Sequence, residues 1–163
     1  KKMKNITLIA CLVVIFITSC NQEKTYFDQL TKNKSITERT TELNKSLTTI
    51  RKSEDKSALV KEDDEYLEYE YKIGNDETYT ITYFFDVAGC YEVGLDTYFN
   101  TEIEAKLVME KIKEAIDNSD KFKLKTDSNQ LYEWSSNDGL SSVELDYENL
   151  NKGMVSFTVF ANE

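Results

Sequence analysis

Few kinds of side chain in this 163-residue sequence can exchange a proton, hold a metal or attack a carbon. There is no histidine. Its absence removes the group whose ordinary pKa lies nearest neutral pH, and with it His-dependent triads and His-ligated zinc or copper. What remains is three cysteines, Cys11, Cys20 and Cys90, and thirty acidic residues spread along the chain. A glycosidase would need two well-placed carboxylates. Here, however, Glu62-Asp63-Asp64-Glu65 falls in a stretch dominated by charge, and Glu68, Glu70 and Glu133 alternate with apolar residues as solvent-facing strand positions do. No segment has the alternating Asp spacing of an EF-hand, and Asn137-Asp138-Gly139 reads as a hairpin turn. The glycines are isolated, so no loop is built to cradle phosphate. The sequence therefore assigns no catalytic residue, no metal ligand and no cofactor.

Cys20 stands apart because of what precedes it. Lys1, Lys2 and Lys4 lead into an apolar run from Ile6 to Thr18, too short to span a bilayer as a helix but long enough for the hydrophobic region of a secretory signal. The run ends Ile17-Thr18-Ser19-Cys20, which resembles the lipobox of bacterial lipoproteins, where small residues precede a cysteine that is acylated and becomes the new N-terminus. A composition rich in Lys, Asn, Glu, Thr and Ile and lacking Pro resembles lipoproteins of the Bacteroidota type. The resemblance implies a signal peptide over 1–19, lipid attachment at Cys20 and anchorage to a membrane through the acyl chains; residues 20–34, polar except for Tyr26, Phe27 and Leu30, read as a polar tether or a frayed helix. Asn21-Gln22-Glu23-Lys24 lacks the Asp of inner-membrane retention and has too few acids for a surface-export signal. The expected place is thus the cell envelope, at the outer membrane of a diderm bacterium and facing the periplasm.

Loss of residues 1–19 removes three lysines and no acid, leaving 17 basic against 30 acidic residues, a net charge of −13. Such a field repels nucleic acid and anionic head groups, and the basic residues are interspersed with acids rather than clustered. A charged partner would be basic; the same charge also serves solubility alone. Cys90 becomes the one cysteine neither removed nor lipidated, so the domain has no disulfide of its own and Cys90 reads as a small buried apolar residue.

Ser35-Ile36-Thr37-Glu38 has capping-box spacing, and Ile36, Leu43, Leu47 and Ile50 make one stripe, which predicts a helix ending near Lys52. A charged loop is expected over 53–65. From Tyr66 the period changes to two, predicting strands over 66–73, 78–85 and 90–99 as an antiparallel meander. A second capping box, Thr101-Glu102-Ile103-Glu104, opens the clearest helix, with Ile103, Leu107, Val108, Ile112, Ala115 and Ile116 as its apolar face. Short strands follow over 122–125, 131–135, 142–147 and 154–160.

The halves 35–99 and 101–161 share an order of elements, and Tyr69-Glu70-Tyr71 matches Tyr132-Glu133-Trp134 at a shift of 63. They read either as a tandem α-β-β-β duplication or as chance recurrence of strand and turn signals. The expected fold class is α+β, a single domain over 35–163 with two helices on one face of an antiparallel sheet of six or seven strands. The order is similar in outline to beta-lactamase-inhibitory proteins, in topology only; none of their motifs is matched and no residue is carried across. The other sheet face is left to water or a partner, with Tyr66, Phe84, Tyr91 and Tyr132 as the aromatics expected on it. The sequence thus points to a non-enzymatic lipoprotein binding another protein in an inhibitor, immunity-like or accessory role. The alternative is a small-ligand, glycan or peptide-binding domain, or a carboxylate-based hydrolase. Oligomeric state is not legible.

Overall fold

Alternation of large apolar residues with polar ones builds one sheet. In the computed structural model, which describes residues 25–162, its eight strands are β1 (Leu59–Glu62), β2 (Tyr66–Lys72), β3 (Thr78–Asp86), β4 (Gly89–Tyr98), β5 (Phe122–Ser128), β6 (Leu131–Ser136), β7 (Ser141–Asp146) and β8 (Met154–Ala161). All neighbours are antiparallel, in the order β1-β2-β3-β4-β8-β7-β6-β5. The sheet is thus two four-stranded meanders joined through their last strands. Leu95 pairs with Phe157 at the middle of that junction. Cys20 and the segment 1–19 lie outside the described residues.

Four helices, α1 (Tyr26–Leu30), α2 (Ile36–Arg39), α3 (Leu47–Ser53) and α4 (Glu102–Asp117), replace the two expected. The stretch 35–52 is broken by a contact with a distant strand. The backbone N–H of Asn44 donates to the Cys90 carbonyl at 2.7 Å, and Cys90 N–H donates to the Lys45 carbonyl at 2.9 Å, so these groups are lost to a continuous helix. Asn44 takes φ 63°, and Ser46 then caps a new helix by accepting from Thr49 N–H. The tether also begins its structure early, because Thr25 and Asp28 form a reciprocal cap that starts α1 and Leu30 is buried. Within the expected loop 53–65 lie a 3-10 turn, Lys56–Ala58, and the edge strand β1, four residues too short and too charged to show a period.

One face of the sheet carries the core. Leu67, Tyr69, Ile81, Tyr83, Val93, Leu95, Val143, Leu145, Phe157 and Val159 all point to it and have no exposed surface. Each such apolar side chain contributes about 1.5–3 kcal/mol by leaving water. Helix α4 covers the core through Ala105, Val108, Met109, Ile112 and Ile116. That stripe is rotated from the expected one, and Ile103 and Leu107 are 73% and 59% exposed. Its cap is the expected box, with Thr101 accepting from Glu104 N–H at 3.2 Å and the Glu104 carboxylate accepting from Thr101 N–H at 3.1 Å.

Over the first meander the helix layer holds a buried polar hub. Glu54, at the end of α3, accepts from Tyr71 Oη, Tyr83 Oη and Lys34 Nζ, each at 2.6 Å, and faces Arg39 Nη1 at 3.5 Å. Burial opposes the Glu54 charge, but Arg39, Lys34, Tyr71 and Tyr83 outweigh it and hold its carboxyl below the usual range. The second half uses a lighter tie, in which buried Trp134 donates from Nε1 to Asp117 Oδ1 at 2.9 Å. At the junction, Gly153 has φ +76°, and a Cβ there would lie 2.0 Å from the Phe99 carbonyl oxygen, so only glycine lets β8 start this close to the end of β4.

Candidate protein-binding face

Among the described residues no helix covers the opposite face of the sheet, and strand parity decides what it shows. Across its upper row Tyr66 of β2 pairs with Phe84 of β3, and Phe84 with Glu92 of β4. Between Phe84 and Phe85 the register shifts, because Phe85 pairs with Cys90 and leaves Tyr91 as an extra residue. This bulge keeps Cys90 and Val93 turned into the core while Tyr91 is 40% exposed. The result is a contiguous aromatic corner: the Tyr66 and Phe84 ring centroids are 5.2 Å apart, and those of Phe84 and Tyr91 6.2 Å. The Lys61 ammonium sits 4.7 Å above the Tyr66 ring, and the Tyr66 hydroxyl donates to Glu68.

Three of the four aromatics expected on this face are therefore together. Tyr132 is not with them. It shares the parity of Trp134, on the helix side, where its ring stacks on Tyr147 at 5.0 Å beneath the Lys113 ammonium, also at 5.0 Å. Tyr98, 41% exposed at the far end of the face, was missed by the sequence reading, although its even spacing from Gly94 and Asp96 signals it.

Below the aromatic corner the face is acidic. Glu68 and Glu70 of β2, Glu92 and Asp96 of β4, Glu133 of β6, and Glu144 and Asp146 of β7 all have outward parity. The lysines of this face, Lys61, Lys72, Lys123 and Lys125, stand on β1, β2 and β5; of the four central strands, β4 and β7 present carboxylates, β3 and β8 present mainly hydroxyls, and none has a base among its ladder residues. Glu133 lies directly across from Glu144. Like charges so placed destabilise a sheet. Burial, and then Glu133, Asp146 and Glu92, push the Glu144 carboxyl above its usual range. Between the acids the surface is small-featured, with Thr82, Gly94 and Thr158 side by side across three strands. A Cβ built on Gly94 would meet nothing nearer than Thr82 Cβ at 4.0 Å.

The acids are strung along rows rather than converging. Among the described residues no three of His, Cys, Asp and Glu are grouped to hold a metal ion. Glu77 borders a polar hollow of about 760 Å³, but backbone N–H hydrogen bonds lower its pKa, the reverse of what a general acid at neutral pH requires. Burial pushes the Cys90 thiol up to about 12, which keeps it protonated and poorly nucleophilic at neutral pH. In searches of family models, curated proteins and solved structures, nothing matches this chain.

Proposed function

We propose that the protein is a lipid-anchored, non-enzymatic component of the cell envelope whose acidic sheet face binds a basic protein, in an inhibitory, immunity-like or accessory role. The observation that carries this reading is the outer face itself, with Glu92 and Asp96 on β4 and Glu144 and Asp146 on β7, no lysine or arginine on the four central strands, and exposed aromatic area at one corner. Within the free protein Glu133 and Glu144 oppose each other. A partner that brings Lys or Arg between them relieves that repulsion and gains charge-assisted hydrogen bonds, while Tyr66, Phe84 and Tyr91 supply rigid contact area. Electrostatic steering makes such binding fast and salt-sensitive.

The anchor in this reading is an acylated Cys20, and the place is the outer membrane. The matched order of the two meanders supports a tandem duplication, the first unit having in β1 a fourth strand beyond the three legible in sequence, which equals the four of the second. The binding test is affinity capture from envelope and secreted fractions at low and moderate salt, using the chain from residue 24 and the same chain carrying Glu133→Lys and Glu144→Lys. A basic protein retained at low salt, weakened by moderate salt and lost with the charge reversals supports the reading. Retention indifferent to the reversals overturns it. The anchor is tested separately: Cys20→Ala should abolish palmitate labelling and release the protein from membranes, and continued membrane fractionation after signal cleavage would contradict it.

A further inference from the structure

We infer that the helix-bearing side of the domain, at the groove between α1 and α4, rests against the lipid bilayer, so that the acidic sheet face points away from the membrane. This inference builds on the lipid anchor at Cys20 and adds an orientation to it.

Three observations converge. The first is where the chain begins its fold. Cys20 is five residues from Thr25, and five residues reach at most about 17 Å when fully extended. Thr25 caps α1 and lies on the rim of the groove, so acyl chains at Cys20 hold this part of the molecule close to the membrane surface. The second is what lies there. The groove, about 440 Å³, is lined by Tyr26, Phe27, Leu107 and Val108. Leu107 and Ile103, one turn apart on α4, are the most exposed aliphatic side chains of that helix. The third is charge. The outward surface of α4 is partly balanced: Glu104, Glu110 and Glu114 line the groove with Lys111, which is joined to Glu114 at 2.6 Å, and Lys113 is paired with Asp117. The sheet face has no such balance across its central strands, and bringing it to a membrane would desolvate uncompensated carboxylates against lipid head groups.

Two exposed aliphatic side chains and a shallow groove would bind a bilayer poorly from free solution. Tethering changes this, because the anchor makes contact between groove and interface an intramolecular event at high effective concentration. The bilayer is therefore the occupant that the chain's own geometry delivers to this site. Lysines on α4 extend their charged ends to the head groups while Ile103 and Leu107 enter the interface.

The test uses the full lipidated chain reconstituted in phosphatidylethanolamine–phosphatidylcholine vesicles, with a fluorophore attached through Ile103→Cys or, in a second sample, Thr158→Cys on the sheet face. Both positions lie on the surface, and buried Cys90 is left in place. Quenching by brominated lipid should be several-fold stronger at position 103 than at position 158, and adding Leu107→Asp should reduce it. Flotation of the same vesicles reports the anchor independently. Protein that fails to float removes both the anchor and this inference. Protein that floats with equal quenching at the two positions keeps the anchor and overturns the orientation. Position 103 shielded from aqueous quencher and from brominated lipid alike would mean that a folded-back acyl chain or a protein partner fills the site, which also overturns it.

Discussion

Glu54 and Glu144 are carboxylates on opposite sides of one sheet, and their surroundings are inverted. Lys34, Arg39 and two tyrosine hydroxyls surround Glu54 beneath the helices, whereas Glu144 faces Glu133 and has Asp146 and Glu92 nearby on the open side. One carboxyl is held below its usual range and the other is pushed above it. A charge compensated inside the molecule ties helices to a sheet. A charge left uncompensated at the surface weakens the sheet slightly and serves only when something outside completes it. The comparison therefore sorts the acids of this chain into those that hold the fold and those available to a partner.

The sharpest way to break that division is at the hub. Glu54→Gln leaves Arg39 buried without its counter-charge and should lower unfolding free energy by about 3–5 kcal/mol, measured by urea denaturation, with little change in the outer face. A loss below about 1 kcal/mol would show that the polar hub does not hold the helices down. Next in size is a steric test. Gly94→Leu adds a side chain where a Cβ has 4.0 Å to its nearest neighbour, so the melting temperature should hardly move. Partner affinity should nonetheless fall tenfold or more, about 1.4 kcal/mol, by titration calorimetry. Unchanged affinity would place the partner elsewhere.

Glu133→Gln with Glu144→Gln makes a finer distinction. Stability should rise, by at most about 1 kcal/mol, as the loss of cross-strand repulsion outweighs that of the exposed Lys125–Glu133 pair at 3.6 Å, while binding weakens. Both quantities falling together would mean that these acids support the fold.

The smallest effect is in the pH dependence, where the two groups have opposite signs. The folded pKa of Glu54 is depressed, so its contribution is present above the unfolded value of about 4.3 and is lost as pH falls through the folded value. That of Glu144 is raised, so its contribution is fullest below about 4.3 and is lost as pH rises through the folded value. Unfolding free energy measured across the carboxylate range should show the acid-side loss shrinking in Glu54→Gln and the gain on acidification shrinking in Glu144→Gln. The same slope in both variants would erase the contrast.

What the sequence made legible follows from the range of the interactions involved. Strands β2, β3 and β4 and helix α4 are written in local periodicity, and their capping and turn residues lie within a few positions of what they cap. The break between α2 and α3 is not local, since it depends on Asn44 and Lys45 bonding to Cys90, some forty-five residues away in the sequence. The hub at Glu54 is likewise invisible, because Lys34, Arg39, Tyr71 and Tyr83 come together only after the sheet forms. Of the candidate site, alternation puts Tyr66 and Phe84 outward, whereas Tyr91 shares the parity of buried Val93 and Leu95 and is turned outward by the bulge. Alternation failed at Tyr132, where large residues of both parities left the inner face undecided until Trp134 was seen buried beneath α4. The acidic rows were readable as solvent-facing positions, but their adjacency across strands was not, because the sheet order brings β8 between β4 and β7.

That order has a consequence for how the chain comes to be folded. Strand β4, ten residues long, finds its second neighbour only in β8, the last of the described strands. While the polypeptide emerges N-terminus first, the leading meander can assemble with β4 as a bare edge, and it stays bare until β8 arrives. An unpaired edge of that length is a template for pairing with other chains. The interval between completing the first meander and delivering β8 is thus the stage at which this protein is most exposed to aggregation, and loss of β8 would make that stage permanent.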